Sequence, residues 1–139
     1  MRGNGIYLEA PGRTQELLNI KWTLQSAGFR IGSTWHESQT STSTLASQDH
    51  WNARSLEQLR LCDSLVVICG KDDRATPELA MTAGLALARG LQVIWIGPPL
   101  TVLSAFRAVQ QFNTAEDYRK QILQQMYSQS ASIAERIAA

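Results

Sequence analysis

Charge is scarce in this sequence. Only 18% of its 139 residues are Asp, Glu, Lys or Arg, against about 25% in an ordinary soluble domain, so solubility rests on Ser, Thr and Gln. The 13 basic and 12 acidic residues leave a net charge of +1, which removes the broad positive surface that binding to a nucleic-acid polymer requires. Cysteine is equally sparse. Cys62 and Cys69 have neither the density of a disulfide framework nor the spacing of a zinc site and read as buried, reduced thiols. Long apolar runs are missing as well: stretches such as Leu65 to Cys69 fall far short of the roughly 20 residues that span a bilayer, and Met1 to Gly5 offers no signal-peptide core. The expectation is a cytoplasmic protein with no membrane partner.

Several chemistries are excluded by missing motifs. No G-x-G-x-x-G follows the first apolar run and no G-x-x-x-x-G-K-[ST] occurs, so the dinucleotide fingerprint and the P-loop are both absent. No G-x-S-x-G nucleophile elbow is present. His36 and His50 bracket a polar stretch without a carboxylate-rich pattern nearby; they read as surface loop residues, and neither a metal nor a cofactor is expected.

What is there is an alternation of strands and helices. The 44% hydrophobic content suffices for one core, and 1–139 is taken as a single domain. Ile6 to Leu8 is a short β-prone run closed by Ala10-Pro11-Gly12. Leu17 to Leu24 has helical spacing, with Gly28 as its cap, and Phe29 to Gly32 is a second brief strand. Trp51 to Leu61 suggests a helix. Ser64 to Cys69 and Gln92 to Ile96 are nearly continuous hydrophobic strands of the kind buried on both faces. Thr76-Pro77-Glu78 supplies a cap, a first-position proline and a first-turn acid for a helix ending at Gly90. Ala108 to Phe112 is a candidate edge strand, and a closing helix starts at Ala115 and reaches about residue 138. Read as βαβαβαβαβα, the order predicts an α/β fold: a flavodoxin-like or Rossmann-like three-layer sandwich with a five-stranded, mostly parallel sheet.

One segment breaks this pattern. Nine of the eleven residues from Ser38 to Gln48 are Ser, Thr or Gln, too polar to add to a core. The loop over 36–50 is either a lid that closes on a ligand or a solvated insertion. Ligands of such sheets bind at the carboxyl ends of the strands, which directs attention to Asp72, Asp73 and Glu78. Backbone N–H groups and the helix dipole favour an anion at the position of Glu78, although a first-turn acid also stabilises a helix with no further role. Lys71 and Arg74 either hold a phosphate or are exposed loop charges. Trp22, Trp35 and Trp51 either stack on a base or pack. Asp63 either caps or positions the start of its strand or takes part in the chemistry.

The run Tyr7-Leu8-Glu9-Ala10-Pro11, Asp63 before the buried strand, Glu78 to Gly90 and Val93-Ile94-Trp95-Ile96-Gly97 together resemble the nucleoside 2-deoxyribosyltransferase family over about Tyr7 to Ile122. The resemblance implies cleavage or transfer at the N-glycosidic bond of a deoxynucleoside or nucleotide. Glu78 would be the nucleophile that forms a covalent glycosyl-enzyme. Tyr7 and Asp72 would position nucleophile and sugar, and Leu8, Ala10, Ser55, Asp73 and Thr76 would line the substrate site. The family's base-handling aspartate falls on Ser55, with Asp49 or Glu9 as possible substitutes; Glu9-Ala10 replaces the usual Ala-Gly, and no glycines flank Glu78. The resemblance also implies a homo-oligomer, in which Ile122, Leu123, Met126, Ile133 and Ile137 serve as interface or pack on their own sheet. Two alternatives stay open: a nucleotide-binding sensor that has lost catalysis, and an NAD-type glycohydrolase like the Toll/interleukin-receptor-like enzymes, which also carry a glutamate on a helix.

Overall fold

A computed structural model describes residues 5–11, 14–37, 53–69 and 77–138. Its strands are β1 (Gly5–Glu9), β2 (Arg30–Ile31), β3 (Ser64–Ile68), β4 (Gln92–Ile96) and β5 (Val109–Phe112); its helices are α1 (Gln15–Ser26), α2 (Ala53–Arg60), α3 (Pro77–Ala88) and α4 (Ala115–Ala138). The two continuous apolar runs of the sequence become β3 and β4, and they pair with each other at the middle of the sheet. The strand order is β2-β1-β3-β4-β5 and all four pairings are parallel. This is the predicted α/β sandwich, with an all-parallel rather than mostly parallel sheet.

Because side chains alternate along a strand, each central strand feeds two separate cores. Ile6, Leu8, Val66, Ile68, Ile94 and Ile96 meet α1 and α4 on one side. Tyr7, Leu65, Val67, Val93 and Trp95 meet α2 and α3 on the other. Thr14 caps α1 by accepting the Leu17 N–H at 3.2 Å, and α1 buries Leu17, Ile20 and Leu24. α3 starts at the predicted proline. Both α1 and α3 end at a glycine with positive φ, Gly28 at 93° and Gly90 at 79°, the conformation that lets the chain turn back under the helix.

The fourth crossover departs from the expected alternation. Between β4 and β5 the chain makes only a 3-10 turn, Thr101–Ala105, because Pro98 and Pro99 cannot continue a helix and too few residues follow. The turn still inserts Leu103 into the α2–α3 core. Cys62 and Cys69 are free and buried, as read from the sequence. Of the three tryptophans considered for stacking, Trp22 lies 58% exposed on α1, Trp35 is partly buried and Trp51 lies outside the described residues. Ile122 packs on its own sheet with Met126 against it, whereas Leu123 and Ile137 are exposed; the Ile133 side chain lies outside the described residues. No helix among the described residues is long and apolar enough to cross a membrane.

Burial sets an alkaline limit on this fold. It pushes the Cys62 thiol up to about 11 and the Tyr118 hydroxyl up to about 12. Between pH 9 and 12 the unfolded chain therefore releases protons that the native chain retains, and stability falls as pH rises, by up to about 1.4 kcal/mol per pH unit for each group. Urea midpoints should be insensitive to these groups below pH 8 and decline progressively above pH 9.

Candidate functional site

In the order β2-β1-β3-β4-β5 the chain runs outward from β1 to β2 and then crosses back to β3. The carboxyl ends of β1 and β3 therefore flank the point where the direction of winding reverses, the usual ligand crevice of such sheets. β1 brings two polar side chains to the α2–α3 side of that point. Tyr7 is fully buried there, and Glu9, the last residue of the strand, is fully buried as well. Among the described residues Glu9 is the only buried acid.

The Glu9 carboxylate is held from two directions. Its Oε1 accepts the Ala10 backbone N–H at 3.2 Å, and its Oε2 accepts the Thr82 hydroxyl at 3.2 Å. Thr82 is fully buried on α3, one turn after Glu78. Residues four apart share a helix face, so positions 78 and 82 are on one face of α3, and the bond from Thr82 to Glu9 docks that helix on the carboxyl end of β1. Leu79, Ala83 and Ala86 complete the packing of α3 in this layer.

The Tyr7 hydroxyl is buried and makes no hydrogen bond of good geometry among the described residues. Its pKa is driven well above the ordinary tyrosine value, first by burial and then by the charge of Glu9; the neighbouring Ser55 hydroxyl opposes this only in part, and the Cys62 thiol adds to it. Tyr7 is thus a neutral hydroxyl throughout the physiological range. Ser55, in the first turn of α2, is 4% exposed and belongs to the same polar cluster.

A second group of bonds fixes the edge of the crevice. β2 is only two residues long, so beyond the Gly32 N–H to Ile6 carbonyl bond of 2.8 Å the β2-facing backbone of β1 has no ladder partner. Side chains take over: Ser33 Oγ accepts the Leu8 N–H at 3.0 Å, and Trp35 Nε1 donates to the Leu8 carbonyl at 2.8 Å. His36 Nε2 lies 2.9 Å from Ser33 Oγ, and Gln58 of α2 donates to Thr34 Oγ1 at 2.8 Å. His36 is 1% exposed, which corrects its reading as a surface loop residue. The short β2 leaves polar backbone to be satisfied, and the turn at 35–37 folds inward to do it.

Of the residues singled out in the sequence, Tyr7 and Ser55 come together with Glu9 and Thr82. Leu8 and Ala10 do not: both side chains are buried in the opposite core, against α1 and α4, because the period of two that turns Tyr7 and Glu9 one way turns their neighbours the other. Glu78 lies in the first turn of α3. Asp72, Asp73, Thr76, Lys71, Arg74, Asp49, His50 and the loop over 38–50 lie outside the described residues. Asp63 is at the other end of β3, where its N–H donates to the Gly5 carbonyl at 2.9 Å and its carbonyl accepts from the Gln92 N–H. On the opposite layer a cavity of about 270 Å³ opens between α1 and α4, lined by Glu16, Asn19, Cys69, Asn113 and Arg119 among others. Among the described residues its lining includes none of the predicted site residues.

The tie between Glu9 and Thr82 was not evident from the sequence, although the alternation in β1 already put Glu9 on the face of Tyr7. No known family model matches the chain, and no curated protein matches it.

Proposed function

We propose that this protein cleaves or transfers the N-glycosidic bond of a deoxynucleoside or nucleotide, with Glu78 as nucleophile. The observation that supports this reading is the docking of α3 on β1 through Thr82 and Glu9 at the switch point of the sheet, beside the buried Tyr7. A carboxylate oxygen of Glu78 attacks the anomeric carbon; the bond from that carbon to the base nitrogen breaks, and its electron pair leaves with the base. Water or a second base then attacks the same carbon and frees the carboxylate, as in retaining glycosyl transfer. Tyr7, neutral and desolvated, is a fixed donor for the nucleophile or the sugar. Asp72 contacts a sugar hydroxyl, as the resemblance implies. The ligand is one small nucleoside or nucleotide and the setting cytoplasmic. The assembly is a homo-oligomer, and exposed Leu123, Tyr127 and Ile137 of α4 are suited to an interface.

The test is to incubate the protein with deoxynucleosides, their 5′-monophosphates and NAD, and to follow free base or nicotinamide by chromatography. Base release together with a sugar adduct on Glu78 in the intact mass supports the reading. Binding without release would assign the site to a sensor, and nicotinamide release alone would assign it to a glycohydrolase. Tyr7→Phe separates chemistry from packing. Removing a buried hydroxyl that lacks a good partner should change the unfolding free energy by less than about 1 kcal/mol, while misplacement of the reacting groups should lower base release about 10- to 100-fold.

A further inference from the structure

We propose that the outer face of α3 is a two-fold interface with a second copy of the chain, packed antiparallel about Gly84. The inference stands apart from the glycosyl-transfer reading, concerns a surface separate from the α4 residues named above, and is tested without activity. Between Glu78 and Arg89 the chain has no charged residue, whereas α1, α2 and α4 each carry charges along their length. A helix that is apolar all round is normally buried all round. This one is buried on one side only. Leu79, Thr82, Ala83 and Ala86 face the core, while Ala80, Met81, Gly84 and Ala88 are exposed.

Gly84 indicates what covers that face. A glycine inside a helix weakens it, and the fold of the single chain has no use for this one: its φ is not positive, and a Cβ built there meets no atom within 4 Å. On an exposed face, a missing side chain admits the close approach of another backbone. Ala80, Gly84 and Ala88 recur every four residues and therefore form one stripe of small side chains, symmetric about Gly84. A two-fold axis through Gly84 makes the two helices antiparallel. It sets Gly84 on Gly84 and Ala80 on Ala88, the self-complementary pattern of an isologous contact, with half-exposed Met81 beside the stripe. Charge favours the same arrangement. Antiparallel copies bring the end of one helix, marked by Arg89, toward the first turn of the other, which carries Glu78, and align the helix dipoles favourably; parallel copies would set like ends together. The neutral stripe neither repels its own copy nor offers a charged partner anything to pair with.

The area is adequate. Beside α3 in the same layer, Leu56 of α2 and Val102 and Phe106 at the 3-10 turn are also exposed. Three elements about 10 Å apart and up to about 18 Å long cover roughly 500 Å² in projection, and more as accessible surface, which approaches the roughly 600–1,000 Å² that each partner gives to a stable dimer.

The test begins with sedimentation equilibrium of the full chain, which should show a dimer or an even multiple of it. Gly84→Glu and Met81→Glu should each raise the dissociation constant of the dimer at least about 30-fold with the circular dichroism unchanged, since both positions are exposed in the single chain. Leu123→Glu and Tyr127→Glu on α4 should leave the dimer intact. Gly84→Cys, on the axis, should give a disulfide-linked dimer when oxidised with copper–phenanthroline, and Ala80→Cys should do so only when mixed with Ala88→Cys. A monomeric wild type, a dimer that survives Gly84→Glu and Met81→Glu, or an Ala80→Cys protein that links to itself as readily as Gly84→Cys overturns the proposal.

Discussion

Glu78→Ala is expected to lower base release by at least roughly 10³-fold, a loss of about 4 kcal/mol or more of transition-state stabilisation. On the proposed route no glycosyl ester can form without the carboxylate, and water would have to attack the anomeric carbon directly. The loss should be in kcat, with the covalent adduct absent from the intact mass. The fold should survive. Glu78 is in the first turn of α3, where an acid contributes only about 0.3–1 kcal/mol through the helix dipole, while α3 is held by Leu79, Ala83 and Ala86 in the core. Circular dichroism and urea unfolding of the variant check this. Base release at the wild-type rate by a folded Glu78→Ala protein removes Glu78 from the mechanism.

The largest effect on stability is expected from the smallest change. Gly97 follows β4 with a φ of +125°, where L side chains are strained, and a Cβ built there runs into the carbonyl oxygen and carbon of Cys69. Neither contact can relax cheaply, because the Cys69 N–H donates to the Ile96 carbonyl at 2.8 Å and the Gly97 N–H to the Phe112 carbonyl at 2.9 Å. Backbone strain of about 1–3 kcal/mol and overpacking of about 1–3 kcal/mol combine to a loss of roughly 2–6 kcal/mol for Gly97→Ala. Against a total stability of about 5–15 kcal/mol, that is enough to lower the urea midpoint sharply. A shift of less than about 1 kcal/mol would contradict the geometry at this strand end.

The parts of this fold that were readable in the sequence are those specified by neighbours along the chain. Continuous apolar runs announced β3 and β4, Pro77 marked the start of α3, and Gly28 and Gly90 marked helix ends. The empty fourth crossover was less readable: apolar Val102 and Leu103 suit a helix or a turn, and only the prolines before them limit the length. His36 was misread because nothing local reveals that β2 stops after two residues and leaves the Leu8 backbone to be satisfied from Ser33 and Trp35. The site divides in the same way. Tyr7 and Glu9 share a face by simple alternation, whereas the bond from Thr82 to Glu9 joins β1 to α3 across most of the chain, and no pattern within either segment announces it. Leu8 and Ala10 neighbour Tyr7 and Glu9 in the chain, but the pleat turns their side chains into the other core.

The pairing order also implies a sequence of events. Ser64 meets Gln92 and Val93 meets Val109 at the shorter separations in sequence, whereas Ile6 must reach Ser64 across nearly the whole first half of the chain. Closing a long loop costs entropy before its contacts form, so the β3–β4–β5 half should assemble early and the seam between β1 and β3 last. Tyr7 and Glu9 are on that seam. The candidate site therefore forms in the last step of folding, and in refolding experiments recovery of any ligand binding there should lag behind burial of Trp95.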